Sequence, residues 1–355
     1  LLLKHWVRQE RSIWKACVTP WREEGCRIRI GRSIALIDLL RKNGTYYKAN
    51  LHCHTVLSDG KMTPMQVKNL YQRQGYSIVG FTDHSKYAEY PELCDESFLA
   101  IPGVEAAFTC LDPNNSPLKY KLCHINFYPT DLKTAVYVEE EHTYDVGNIN
   151  RYIEKMKKAG WICTLNHPGW SLQSTEEING LIGLDGFEIY NHKSVIHDNN
   201  GDGQAHYAIF LNSGRKAWAV ATDDCHTGLL PDGSPDPVTN DTCGGYIMMS
   251  MPSLSYENFV DAFIQGRFYA SSGPELINYY IDEEKDMVVL DYSAVSNVLL
   301  KGIHTVKGAS LLASGNTITH AEFPLGPIRK KEPFFRLEVC TKDLKRAYSQ
   351  PYWFE

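Results

Sequence analysis

The chain has 355 residues, 43% hydrophobic and 22% charged, with a formal net charge of −6. That length allows one large core or two domains, and the composition is that of an ordinary soluble globular protein. The negative balance gives no electrostatic reason to expect nucleic acid or an anionic membrane as partner, and the absence of a long apolar run excludes an evident spanning helix.

Residues 1–45 carry Trp6, Trp14 and Trp21 and an amphipathic pattern that predicts a helix over Ser33–Arg41; no role is assigned to this extension. A regular alternation of strand and helix runs from 46 to 275. Tyr47–Leu51 leads into Asn50-Leu51-His52-Cys53-His54, followed by Ser58-Asp59-Gly60. Residues i and i+2 of a strand share a face, so His52 and His54 present two imidazoles to one point while Cys53 faces away. Thr63-Pro64 is a cap with proline at the first helical position, Val67, Leu70 and Tyr71 follow at helical spacing, and Gly75 ends the run.

The next strand is Ser77–Phe81. Ile149, Tyr152, Ile153 and Met156 predict a second helix ending at Gly160, which feeds a strand over Trp161–Leu165. Leu184–Tyr190 predicts a strand, Ala205–Asn212 a helix, Ala217–Ala221 a strand, and Tyr256, Phe259, Val260 and Phe263 a late helix face. Such alternation argues for a parallel sheet with helices outside, whose chemistry would lie at the strand C-terminal ends. From 276 to 355 short apolar runs separated by Gly, Asn, Ser and Pro predict a small antiparallel, β-sandwich-like domain.

Metal-ligating residue types close these apolar runs one after another. Thr82-Asp83-His84 ends one run, Gly103-Val104-Glu105 the next, and His124, Asn166-His167-Pro168 and Asp224-Cys225-His226 follow. A lone His-x-His is weak evidence for a metal; its repetition with acidic partners is stronger, because neutral imidazole is the commonest ligand for first-row metals. The ten cysteines lack C-x-x-C pairs, which predicts reduced, buried thiols and a cytoplasmic setting. Asp198–Gly203 resembles the start of an EF-hand loop, but Ile209 occupies the twelfth position, so a turn is expected.

In order and spacing, these motifs resemble the PHP (polymerase and histidinol phosphatase) domain across about residues 46–275. The run Lys345–Pro351 resembles the end of a β-domain in a branch related to carbaryl hydrolase. The resemblance implies a distorted seven-stranded β/α barrel and a metal-dependent phosphoesterase holding two or three divalent ions of zinc, manganese or iron. His52, His54, Glu105 and Asp224 would hold the first, a bridging Glu105 with His124 and His167 the second, and Asp59, His84 and His226 the third, with Glu105, Asp224 and His226 in catalytic roles. A hydroxide bridging two metals would attack phosphorus in a small phosphomonoester or phosphodiester. Lys61, Lys86, Tyr190 and Asn191 are candidate substrate contacts. The same centre would also suit a carbamate, amide or ester hydrolase, and a non-catalytic metal-binding or accessory module is the third alternative. Asp83 is expected to orient an imidazole or cap a helix, and Asn166 to bond backbone.

Overall fold

The computed structural model describes residues 36–110, 121–137, 140, 143–303, 310–312 and 317–354. The protein is a mixed α/β structure with many strands and few helices. In chain order the strands and helices of its first part are β1 (Leu36–Asp38), β2 (Thr45–Asn50), α1 (Pro64–Arg73), β3 (Ile78–Phe81), β4 (Leu99–Pro102), β5 (Val104–Cys110), β6 (Lys121–Pro129), α2 (Val146–Lys158), β7 (Trp161–Leu165), α3 (Thr175–Gly180), β8 (Gly186–Asn191), α4 (His192–Asp198), α5 (Gln204–Asn212), β9 (Trp218–Thr222), β10 (Tyr246–Met251), α6 (Tyr256–Ile264) and β11 (Phe268–Ser271). The remainder comprises β12 (Leu276–Asp282), β13 (Met287–Val295), β14 (Asn297–Lys301), β15 (Ser310–Leu312), β16 (Ile318–Pro324), α7 (Leu325–Arg329), β17 (Phe334–Cys340), β18 (Arg346–Tyr348) and β19 (Tyr352–Trp353).

Local chemistry sets the helix bounds. Thr63 accepts from Gln66 N–H and Gln66 reaches back in a capping box, with Pro64 at the first turn. Helix α1 then buries Val67, Leu70 and Tyr71. Asp145 caps α2, whose buried face is the expected stripe Ile149, Tyr152, Ile153 and Met156. Each such cap contributes about 1 kcal/mol. The predicted strand over Trp161–Leu165 coincides with β7, and the other predicted strands and helices of this region shift at most three residues at either end.

Two expectations need correction. Residues 36–38 of the proposed Ser33–Arg41 helix form β1, antiparallel to β12; residues 33–35 lie outside the described residues. Leu39 N–H continues the pairing onto the Tyr279 carbonyl at 2.8 Å, and Asp38 accepts from Leu40 and Lys42 N–H, a turn geometry that competes with helix. Strand β6 is antiparallel to both neighbours, so the sheet is not uniformly parallel. Only ten residues, 111–120, join β5 to β6, too few for the helical crossover a parallel pair needs. A short helix, α7, lies between β16 and β17.

The strands form three sheets. Strands β5-β6-β7-β8-β9 make one, and β1-β12-β13-β16 a second. The third follows β15-β14-β17-β18-β11-β10-β2-β3-β4, with β19 on β17, so the strand that leads into the histidine pair shares a sheet with the C-terminal strands. A core of residues such as Ile78, Ile101, Phe127, Leu165, Phe187 and Val220 fills the first part, while Tyr279, Ile281, Leu290, Val298, Leu337 and Val339 pack the second and third sheets face to face. The described cysteines are free. No helix among the described residues is long and apolar enough to cross a membrane.

Candidate metal centre

Beyond β2 the chain stays extended and locks onto the turn after β9. His54 N–H donates to the Cys225 carbonyl and Asp224 N–H to the His52 carbonyl, each at 3.0 Å. Cys53 and Cys225 face each other across a parallel bridge and turn into a separate core cluster. The i, i+2 rule then sends His52 and His54 to the opposite side, where their Nε2 atoms lie 3.2 Å apart. Asp224 has φ +56°, a left-handed conformation that aspartate tolerates better than most residues, and this turns its carboxylate toward the same point. On the other rim, Gly60 presses on the His54 carbonyl so closely that a Cβ there would stand 2.3 Å from its oxygen.

The distances have the size of a coordination shell. Asp224 Oδ1 is 3.3 Å from His52 Nε2 and 3.1 Å from His54 Nε2; Glu105 carboxylate oxygens approach the same two nitrogens at 3.2 Å. Four ligands about 2.0–2.1 Å from one tetrahedral ion are separated by roughly 3.3 Å. Glu105 extends the cluster outward, with Oε1 3.0 Å from His124 Nδ1 and 3.3 Å from His167 Nε2, and Oε2 3.0 Å from His84 Nδ1. On the solvent side Asp59 lies 3.4 Å from His226 Nε2, 3.5 Å from His54 Nδ1 and 3.7 Å from His84 Nε2. This third group is looser, and its aspartate is 54% exposed. All nine predicted ligand residues thus stand in one continuous cluster, in four overlapping groups of metal-ligating geometry.

Two further features test whether the donors suit cations. Glu105 Oε2, His84 Nδ1 and His124 Nδ1 are buried and make no hydrogen bond despite their close approach, which leaves their lone pairs aimed inward. The outer nitrogens of other rings face groups that only accept: His52 Nδ1 meets Glu188 Oε1 and His226 Nδ1 the Asp224 carbonyl, each at 2.7 Å. A proton therefore sits on each Nδ1, and Nε2 is left as a ligand lone pair. The residues present fit divalent ions.

Without such ions the carboxylates and imidazoles must balance one another. Burial works against charge on Glu105 and Asp224, yet His124, His52 and His84 hold the first, and His52, His54 and His226 the second, well below the usual carboxylate range. Burial likewise opposes protonation of His84, but Glu105 and Asp59 lift it to about 9. His124 goes the other way: burial lowers it, and Glu105 only partly offsets this.

A surrounding shell positions these groups, and one member escaped the sequence motifs. Glu188, buried within β8, accepts from His52 Nδ1, from His167 N–H at 2.7 Å, from Asn191 Nδ2 at 3.0 Å and from the Thr222 hydroxyl. Its signal was a lone acid in the apolar run Gly186-Phe-Glu-Ile-Tyr. Asp83 accepts from Thr55 and Ser58, backbone and side chain alike, so it organises the loop between His54 and Asp59 and is neither an imidazole's partner nor a helix cap. Asp241 accepts from His226 N–H. The Asn166 side chain donates to Glu105 at 2.7 Å, correcting the expected backbone role.

The four expected substrate contacts fall differently. Lys61 and Lys86 are exposed. Lys86 lines a cleft of about 450 Å³ with Ser85, Tyr87, Ala135, Val136 and Tyr137, directly after His84. Asn191 is fully buried; its amide donates to Glu188 and Asp224 and its oxygen caps α4. Tyr190 pairs its hydroxyl with His192 Nδ1 at 2.9 Å. The Asp198–Gly203 segment is a turn, with Asn199 left-handed at the end of α4.

His192 supplies a stability prediction. Its ring lies flat on Gly244, where any Cβ would come within 2.1 Å of it. Burial, then the charges of His197 and Lys345, push its pKa down to about 4. The unfolded chain therefore takes up this proton first: the contribution is complete above the unfolded value of 6.5 and is lost as pH falls toward 4. In thermal unfolding across that window, His192→Gln should lose less melting temperature than the parent protein.

No family model and no curated protein matches the chain. Among solved structures it is similar to a two-domain protein from Bacteroides vulgatus containing a predicted PHP-like metal-dependent phosphoesterase, at 16% identity and a TM-score of 0.44, covering 92% of this chain and 99% of that one. It is also similar to a protein from Bifidobacterium adolescentis assigned as a metal-dependent phosphoesterase (16% identity, TM-score 0.36, covering 54% and 93%). A third is an amidohydrolase from Chromobacterium violaceum with bound sulfate and no metal (14% identity, TM-score 0.34, covering 50% and 87%).

Proposed function

We propose that this chain is a metal-dependent hydrolase of the PHP kind that cleaves a small phosphomonoester or phosphodiester. The observation that carries the proposal is Glu105: one buried carboxylate within 3.0–3.3 Å of His52, His54, His84, His124 and His167. His52, His54, Glu105 and Asp224 would hold one divalent ion, Glu105 with His124 and His167 a second, and Asp59, His84 and His226 a third. Bound, these ions supply Lewis acidity and a nucleophilic water at neutral pH.

The chain's own residues do the rest. Glu188 and the Asp224 carbonyl keep protons on the outer nitrogens of His52 and His226, so both rings face inward as lone pairs. Asn191 holds Asp224 Oδ2 at 3.2 Å. Lys86, in the cleft beside Ser85, would meet an anionic substrate, with Lys61 and Tyr190 as further candidate contacts, while Asn191 supports the ligands through Asp224. A distorted seven-stranded barrel is supported by the bridges joining the two halves. Counting β4 and β5 as one strand bent at Gly103, the ring runs β2, β3, β4–β5, β6, β7, β8, β9 and returns to β2 through Cys53 and Cys225.

The test restores manganese, zinc or iron to the purified protein and assays an aryl phosphate beside an aryl carbamate. Phosphate hydrolysis that disappears on chelation, and that His52→Ala loses together with bound metal, is the expected result. Turnover of the carbamate alone, or activity that survives metal removal, would overturn the proposal.

A further inference from the structure

We propose that Lys193 is the anion-binding residue of this centre, its ammonium receiving a non-bridging phosphoryl oxygen of the substrate; this rests on the phosphoesterase reading and adds to it a residue outside the sequence motifs. Lys193 occupies the first turn of α4, directly after β8, and its N–H donates to the Asp223 carbonyl at 3.0 Å. A cation is disfavoured at a helix N-terminus by the helix dipole, so helix stability does not explain a lysine there. Its ammonium lies 5.1 Å from the centre of the Trp170 ring and 3.9 Å from Asp224 Oδ2. The second distance is an electrostatic approach rather than a hydrogen bond. Trp170 in turn packs edge-on against His167, ring centres 4.9 Å apart, and faces His124 at 6.1 Å. The indole therefore forms a wall of the cluster, and cation–π attraction holds the ammonium on that wall.

What the lysine lacks is a strong partner. Its side chain is 24% exposed, and among the described residues its ammonium makes no hydrogen bond. Asp224 Oδ2 is already engaged by Asn191. A cation held by His52, His54 and Asp224 would share the carboxylate's charge, and its pull on the ammonium would fall. The ammonium, beside Asp224 and the Trp170 wall, would then have N–H donors to offer a phosphoryl group at the ligands.

The experiment measures inorganic phosphate binding to the metal-loaded protein by calorimetry, with metal content and melting temperature taken on the same samples. Lys193→Met should keep its metal and fold but bind phosphate roughly ten- to hundredfold more weakly, the loss of one charge-assisted contact. Lys193→Arg should recover part of that loss, and for an aryl phosphate the effect should fall on KM more than on kcat. Unchanged phosphate affinity in Lys193→Met overturns the assignment while leaving the phosphoesterase reading intact. Loss of metal in both variants also overturns it, since that is a supporting role for the ligands. If the metal-loaded parent protein binds no phosphate and hydrolyses no phosphoester, the underlying reading fails and takes this assignment with it.

Discussion

Glu105→Gln should leave a folded protein that purifies without its full metal complement and has no measurable turnover. The glutamine is nearly isosteric and can still accept from Asn166, so the buried packing around it survives. The charge does not. In the parent protein five imidazoles surround this one carboxylate, and it is the group shared by the inner clusters. Its loss removes a ligand from more than one position, so the fall in metal affinity should exceed the roughly 10–100-fold typical of an outer partner. His84 should follow, because Glu105 is the strongest of the charges lifting it to about 9. Elemental analysis of the purified variant, with turnover measured across added manganese, zinc and iron, checks the prediction. A variant with full metal and parent-like activity would show that the carboxylate is not a ligand.

Glu188→Ala should be the most destabilising single change in the site. It strands four donors in a fully buried position: His52 Nδ1, His167 N–H, Asn191 Nδ2 and the Thr222 hydroxyl. Burial alone would raise this carboxyl, but the His52 charge and hydrogen bond hold its pKa below the usual value, so it is an ion that is removed. Breaking a buried charge pair from one side costs about 3–5 kcal/mol, less whatever repulsion from Asp224 is relieved. Denaturant unfolding should show the loss directly. Glu188→Gln separates the roles. It keeps the volume but places an amide against groups that donate, so it should lower metal affinity by about 10–100-fold with a smaller loss of stability. Parent-like metal binding in Glu188→Gln would remove the residue from the proposed support of His52.

The local elements are legible in the sequence because each rests on short-range chemistry. Thr63-Pro64, the Ile149–Met156 stripe and the apolar run Trp161–Leu165 carry their own caps and periodicity. The nine ligand candidates are legible for a related reason: imidazoles and carboxylates recur at the ends of consecutive apolar runs, and strand alternation already places His52 and His54 on one side. Residues acting through others leave no such mark. Glu188 differs from an ordinary strand residue only in being charged, and the role of Asn166 depends on a contact 61 positions away.

The sequence by itself determined which side chains are candidates for metal chemistry, because ligand type and strand periodicity are local properties. Tertiary structure alone decided their assembly: the antiparallel turn of β6, the transfer of residues 36–38 to the C-terminal sheet, and the Cys53–Cys225 bridge that brings His52 beside Asp224. Each is a pairing between segments distant along the chain, set by which edges and apolar faces are left to bury one another, and no local periodicity encodes that choice.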